Sequence, residues 1–295
     1  MGYRWRVRPE TVRLVEYVLF VDGWVISVHI YVNEKQFEVV DRISVQQVRE
    51  QFKLDADVVI VNGFAVSGDV ELREGDRVVL IKRGELPGRR ELEGLMVARH
   101  TPGVHERVKA ATVGIAGLGG LGSAIAIALA RVGVGRLVVA DFDVVEPSNL
   151  NRQQYFVDQI GMTKTEATRE NIERINPYVK VISHQGRIEA GNVAEVFGGV
   201  DVMCEAFDGA DQKAMLCESF TGAFSDTPLV MAAGVAGFER SNTVVTRKLG
   251  KNLYLVGDME TGAGLGVGLM SPRVGIAAHH QANAVLRLLL GEEVG

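Results

Sequence analysis

The sequence predicts an α/β chain in two parts: a nucleotide-binding domain with a mostly parallel sheet, and a smaller α+β unit ahead of it. Three observations carry that prediction. From Val113 onward, short apolar strands alternate with helix-period segments, as in βαβ units. The first of those strands runs into Gly117-Leu118-Gly119-Gly120-Leu121-Gly122, a glycine pattern that opens a helix. The preceding residues follow a different order, strand–strand–helix–strand–strand.

Within the small unit, Glu10–Leu19 reads as either a short helix or a strand extension. Val25–Val32 and Gln36–Val40 are β-rich and flank an Asn33-Glu34 turn. Ser44–Lys53 has the pattern of a capped amphipathic helix, and Val58–Val61 and Asp76–Lys82 are further strands around the turns Asn62-Gly63 and Glu74-Gly75-Asp76. One helix with four strands predicts a β-grasp sheet, with an N-terminal extension, over residues 1–84. Glu85–Glu93, rich in charge and containing Pro87 and Gly88, reads as a linker reaching residue 98. Residues 99–295 are then the nucleotide-binding domain.

In that domain Val113–Ala116 is a buried strand, Ser123–Val132 a helix ended by Gly133-Val134-Gly135, and Arg136–Ala140 the next strand, with Asp141 at its carboxyl end. Lys164 stands at the start of the helix pattern TKTEATRENIERINP, and Val200–Ala206 is a strand followed by Asp208. Lys213–Phe220 is helical, the glycine-rich Gly257–Pro272 has no apolar period and reads as a mobile loop, and Arg273–Leu290 returns as an apolar-faced helix. His279 and His280 on that helix have no nearby Cys, Asp or Glu set and read as packing or surface residues. Cys204 and Cys217 read as small core residues.

Glycine at the turn lets phosphate oxygens approach backbone N–H groups at a helix N-terminus, where the helix dipole favours negative charge. An acid about 20 residues past the glycines is placed for a ribose hydroxyl, and Asp141 fits. These features alone would also suit an NAD or FAD domain. The stretch that follows argues for different chemistry, because Asp143, Asn149, Arg152, Gln153 and then Lys164 offer amides, a guanidinium and an ammonium. Such cations neutralise charge developing on a phosphoryl centre by position and electrostatics.

The segments GLGGLGS, VxDFDxVExSNLNRQ, GxxKxExxxxxxxxINP and EAFDGADQKAML, in this order over about Arg99–Leu290, resemble the E1-like adenylyltransferases of the ThiF/MoeB/HesA type, most closely the thiamin-pathway ThiF branch. The resemblance implies a Rossmann-like fold, and an activity in which ATP adenylates the C-terminal glycine of a ubiquitin-like sulfur carrier and pyrophosphate is released. It implies Gly117, Gly119 and Gly120 as phosphate-loop contacts, Asp141 as the ribose acid with Asp143 beside it, and Asn149, Arg152, Gln153 and Lys164 around the triphosphate. Asp208 becomes a magnesium ligand, and Arg152, Lys164 and Asp208 the catalytic set. Arg99 matches an arginine that reaches into a neighbouring subunit's nucleotide site, which implies a homodimer. Trp24–Gly84 in turn resembles the ThiS-type carriers, but lacks their Gly-Gly terminus, since the chain runs on as Gly84-Glu85-Leu86-Pro87. The carrier is therefore expected to be a separate protein ending in Gly-Gly, with the fused unit in a docking, regulatory or dimer-stabilising role.

Composition narrows the alternatives. The 295 residues are 47% hydrophobic, enough for two cores, and the formal net charge is −5, with no basic module to invite nucleic acid. Two cysteines cannot build the CxxC…CxxC zinc site of many relatives, so no zinc is expected, and they suit a reducing, cytoplasmic setting. No segment reads as membrane-spanning or as a signal peptide. No cysteine falls in Gly257–Pro272, so adenylation is expected without a covalent cysteine step. An E1-like dehydratase acting on modified adenosine in tRNA, a non-catalytic scaffold with the carrier-like unit docked in place, and an NAD dehydrogenase are the other uses of this pattern.

Overall fold

The computed structural model describes residues 27–97 and 100–294. The helix-or-strand expectation at Glu10–Leu19 and the position of Arg99 lie outside the described residues. Two compact units divide between Thr101 and Pro102.

The first unit is a five-stranded sheet with one helix. Strands β1 (Ser27–Val32) and β2 (Lys35–Val40) form the predicted hairpin, helix α1 (Val45–Phe52) follows, and β3 (Val58–Val61), β4 (Phe64–Ala65) and β5 (Arg77–Ile81) complete the order β2-β1-β5-β3-β4. β1 and β5 run parallel at the centre while the other pairs are antiparallel. The helix begins where the sequence placed it because Ser44 accepts the N–H of Gln47 and the Gln47 side chain accepts the N–H of Ser44, a reciprocal cap. Its Val45 and Val48 pack with Ile30, Val32, Leu72, Val78 and Leu80 in one core. The stretch read as a linker contains a helix, α2 (Arg89–Val97), whose first turn bonds back to the carbonyl of Gly88 and carries an Arg89–Glu93 pair four residues apart.

The second unit is a doubly wound sheet. Helix α3 (Val104–Ala110) leads into β6 (Thr112–Ala116), α4 (Gly120–Val132), β7 (Arg136–Asp141), α5 (Lys164–Ile175), β8 (Lys180–Gln185), α6 (Val193–Phe197), β9 (Val202–Glu205), α7 (Ala210–Ala223), β10 (Leu229–Ala232), β11 (Val245–Lys248), β12 (Leu253–Gly257) and α8 (Ser271–Leu289). The sheet order is β11-β12-β10-β9-β6-β7-β8, parallel throughout except for β11. Strands buried on both faces explain the continuous apolar runs. One core joins α4 and α8 to the sheet through Ile125, Leu129, Ala278 and Val285; another, on α6 and α7, centres on Phe197, Leu216 and Phe220.

From β6 the chain winds to β7 and β8 on one side, then returns to β9 on the other. The carboxyl ends of β6 and β9 therefore flank a topological switch point, where open α/β sheets bind ligands.

Candidate active site

A cavity of about 480 Å³ opens at that switch point. Its floor begins at the glycine turn. Gly117 has φ +91°, and a Cβ there would stand 2.7 Å from the carbonyl oxygen of Ala206, which follows β9. At Gly122 a Cβ would stand 1.8 Å from the carbonyl oxygen of Gly117, so only glycine lets the turn close onto the first turn of α4. A Cβ on Gly120 would meet the Arg152 stem at 3.4 Å and Val274 at 2.9 Å, so the missing side chain makes room for a cation above the helix N-terminus.

Asp141, at the end of β7, accepts the N–H of Leu118 at 2.6 Å and of Asp143 at 2.8 Å. The acid read as a ribose ligand thus also ties the glycine turn to the next strand, with one lone pair on each oxygen left over. The long connection from β7 to α5 is closed at its base, where Val145 donates to the Met162 carbonyl and Lys164 to the Asp143 carbonyl through their backbone N–H groups. That closure brings Lys164 Nζ within 2.9 Å of the Asp143 carboxylate, although 21 residues separate them in sequence. Within the connection, the N–H groups of Arg152 and Gln153 both bond to the Asn149 carbonyl, so the three side chains share one tight turn. The Asn149 side chain caps the turn by accepting the Glu146 N–H at 3.1 Å.

Gly117, Gly119, Gly120, Asp141, Asp143, Asn149, Arg152, Gln153, Lys164 and Asp208 all line this cavity. The sequence expectation for Arg99 falls outside the described residues. Arg152 Nη1 donates to the Asn151 side chain at 2.8 Å, but its buried Nε and the buried Oε1 of Gln153 have no hydrogen-bond partner. Unpaired buried polar atoms on a cavity wall mark where a polar ligand would be held. Asp208, after β9, also lines the cavity and is exposed, with no hydrogen bond or ion pair among the described residues. Those residues include no cluster of three or more His, Cys, Asp or Glu side chains placed to hold a metal ion. The Asp208 carboxylate, a hard oxygen donor on the same cavity as Arg152 and Lys164, fits a hard divalent ion.

Three groups escaped the sequence reading. Glu205, wholly buried at the end of β9, accepts both 2.9 Å and 3.0 Å contacts from Lys213 Nζ of α7, and Lys213 reaches the cavity wall. The motif EAFDGADQK held both, and an acid ending the apolar strand Val202–Glu205 should have asked for a cation. Tyr155 donates its buried hydroxyl to the Leu118 carbonyl at 2.8 Å beneath the glycine turn; burial pushes that phenol up, so it is the neutral donor the turn needs. Arg273 and Asp258 form a buried pair at 2.5 Å. That pair holds the start of the glycine-rich segment. The Asp258 carboxylate accepts the N–H groups of Glu260 and Thr261 and the Thr261 hydroxyl. Between β12 and α8 the segment carries only isolated bridges, Gly264 with Val267 and Leu269 with Gly237, and its first turn is pinned.

His280 pairs with the Thr246 hydroxyl at 3.2 Å and His279 with the Gly275 carbonyl at 2.8 Å, Cys204 is buried in β9, and Cys217 is half-buried on α7. Burial pushes both thiols up, away from the reactive thiolate.

Glycine turn, paired cations and free carboxylate around one switch-point cavity define a Rossmann-like nucleotide-binding protein, joined here to a β-grasp unit. The chain belongs to the ThiF family, E1-like adenylyltransferases, which matches residues 93–295, and residues 28–84 match the ThiS-like ubiquitin family. It is 32% identical over 193 residues to the molybdopterin-synthase adenylyltransferase of Escherichia coli (strain K12), spanning 63% of this chain and 76% of that protein. It is 40% identical over 122 residues to ubiquitin-like modifier-activating enzyme 5 of Caenorhabditis elegans, but covers 29% of that longer protein and 37% of its own length. Among solved structures it resembles the E. coli tRNA N6-threonylcarbamoyladenosine dehydratase in complex with AMP, with a TM-score of 0.63 and 22% identity over 70% of this chain and 98% of that one. A likeness at that identity speaks for the fold. Among the described residues no helix is long and apolar enough to cross a membrane.

Proposed function

We propose that the chain is an ATP- and magnesium-dependent adenylyltransferase that activates the C-terminal glycine of a separate, ThiS-type ubiquitin-like sulfur carrier in thiamin biosynthesis. The observation that carries this reading is the meeting of the glycine turn, the Asn149–Gln153 turn and Lys164 in one cavity. Backbone N–H groups of the turn and the N-terminus of α4 suit phosphate oxygens. Arg152 and Lys164 lie beyond them, where charge gathers on a leaving pyrophosphate. Asp141 serves the ribose, and Asn149 and Gln153 complete the triphosphate contacts.

In the reaction, a carboxylate oxygen of the carrier's terminal glycine attacks the α-phosphorus, a new C(O)O–P bond forms, and the bond to the β-phosphate bridging oxygen breaks. Pyrophosphate leaves with that electron pair, and an acyl adenylate remains. No general base is required, because the nucleophile is already ionised at neutral pH. A magnesium ion, when bound, would neutralise phosphate charge, and Asp208 would hold it. The separate carrier follows from the absence of a free Gly-Gly carboxylate at Gly84. A homodimer completed by Arg99 and a cytoplasmic location belong to the same reading. The thiamin branch rests on the resemblance of the motifs within Arg99–Leu290 to the ThiF branch.

ATP–pyrophosphate exchange by the purified full chain, with and without Gly-Gly-ended carriers of the host, tests this. Exchange that depends on the ThiS-type carrier is expected. Dependence on a molybdopterin-type carrier would move the pathway, and nucleotide binding with no exchange on any carrier would overturn the activity.

A further inference from the structure

The reading of the cavity as a nucleotide site leaves one wall unexplained. Glu205 is 0% exposed, yet its carboxylate accepts four hydrogen bonds: two from Lys213 Nζ, one from the Phe207 N–H at 2.7 Å and one from the Ala232 N–H at 3.4 Å. Its own carbonyl accepts from Gln281 Nε2 on α8 at 2.9 Å. One side chain therefore joins the carboxyl ends of β9 and β10 to the first turn of α7, and the strand end it belongs to is fixed by α8. Lys213 cannot leave to meet a phosphate without stranding a buried carboxylate, which makes it a poor mobile cation. What the pair does hold is the turn Ala206–Phe207–Asp208. Ala206 is clamped from the other side, donating its N–H to the Ala116 carbonyl at 2.8 Å, and its own carbonyl lies against Gly117. The free Asp208 carboxylate stands on the outer end of this clamped turn, facing the cavity.

We propose that Glu205 and Lys213 are positioning residues for Asp208, setting how strongly a divalent cation tightens nucleotide binding rather than touching the nucleotide themselves. This rests on the nucleotide reading above. In Glu205→Gln one carboxylate oxygen becomes an NH2 donor, so the N–H groups of Phe207 and Ala232 can no longer both be accepted, the turn swings, and Asp208 loses its fixed distance from the glycine turn. Outer-shell partners of this kind are worth about 10–100-fold in metal affinity.

The test is calorimetric ATP binding to the full chain in EDTA and in saturating Mg²⁺, for the native protein, Glu205→Gln, the charge-free pair Glu205→Gln/Lys213→Gln, and Lys213→Arg. The double variant removes both charges, so it remains informative if the single variant fails to fold. We expect metal-free affinity within about twofold of native in every folded variant, the Mg²⁺ enhancement reduced about tenfold or more in Glu205→Gln and the double variant, and retention of that enhancement in Lys213→Arg. Equal weakening with and without metal, or a native Mg²⁺ enhancement in the double variant, overturns the positioning role while leaving the nucleotide site standing. Absence of ATP binding by the native chain overturns the nucleotide reading itself.

Discussion

The Arg273–Asp258 pair offers the sharpest test of how the cavity's glycine-rich rim is built. Burial would raise the Asp258 carboxyl, but the N–H groups of Thr261 and Glu260, the Thr261 hydroxyl and the Arg273 guanidinium outweigh it and bring the carboxyl from 3.8 down to about 2. A folded value below the unfolded one means the ionised group stabilises the fold at neutral pH, by about 2 kcal/mol for a shift of this size. Asp258→Asn removes that contribution and also strands Arg273, which is 2% exposed and otherwise held by the carbonyls of Glu239 and Arg240 and the Thr243 hydroxyl. An unpaired buried guanidinium brings the expected cost at pH 7 to about 3–5 kcal/mol. Because the contribution is present above the unfolded value and lost as pH falls through the folded one, the window is about pH 4 to pH 2, and about half of the ionised group's share is gone by pH 3. Urea unfolding of native and variant chains at pH 7 and pH 3, followed by circular dichroism, measures the difference, and hydrogen exchange at the Thr261 amide reports the turn itself. A penalty below about 1 kcal/mol at pH 7, or one that does not shrink on acidification, refutes the argument.

Three further outcomes follow from the cavity. Gly122→Ala places a Cβ 1.8 Å from the Gly117 carbonyl oxygen and must shift the turn, so a loss of about 1–3 kcal/mol or more in thermal stability should accompany loss of ATP binding by titration. Arg152→Ala should lower carrier-dependent exchange about 10²-fold or more, and near-normal turnover would remove it from the catalytic set. The Lys164–Asp143 pair is lopsided, with side chains 7% and 46% exposed. Lys164→Ala leaves a solvated carboxylate and should weaken nucleotide binding with little loss of melting temperature, whereas Asp143→Ala leaves a nearly buried ammonium unpaired and should cost about 1–3 kcal/mol in a melt.

Local patterns were legible where the physics is local. The Ser44 cap, the turn at Asn62-Gly63, the glycine turn into α4 and the Asn149–Gln153 cluster each act within a few residues, so sequence order alone places them. Lys164 could be tied to the same site because motif order put it there, although its contact with Asp143 depends on a closed loop that no short window displays. The partners that escaped are those joined by topology. Glu205 meets the N–H of Ala232 across 27 residues because β9 and β10 are neighbours, and Tyr155 meets Leu118 across 37 because the connection after β7 folds under the glycine turn. Glycine content made Gly257–Pro272 look uniformly mobile, since composition says nothing of an arginine on the next helix that anchors the turn Asp258–Thr261. Charge and a Pro-Gly pair likewise masked the helix Arg89–Val97, whose apolar stripe of Leu92, Leu95 and Met96 is short and nowhere fully buried.

The fused unit keeps a ThiS-like ubiquitin fold while the chain runs on past Gly84. A carrier of this type must present an extended tail that ends in a carboxylate. Here the equivalent stretch is folded onto its own domain: Lys82 pairs with Asp55 at 2.5 Å, the Arg83 N–H bonds to Asp57 at 2.8 Å, and Glu85 pairs with Lys53. Gly84 sits at φ +76°, where the chain turns instead of extending, and the Glu85 N–H bonds back to the Lys82 carbonyl. Four residues past Glu85 the chain enters α2. Each ion pair is worth little alone, but two of them and a backbone hydrogen bond within Lys82–Glu85 oppose extension together. The β-grasp core of Ile30, Val48 and Leu72 asks only to be packed, and resemblance over residues 28–84 argues for architecture without arguing for a substrate.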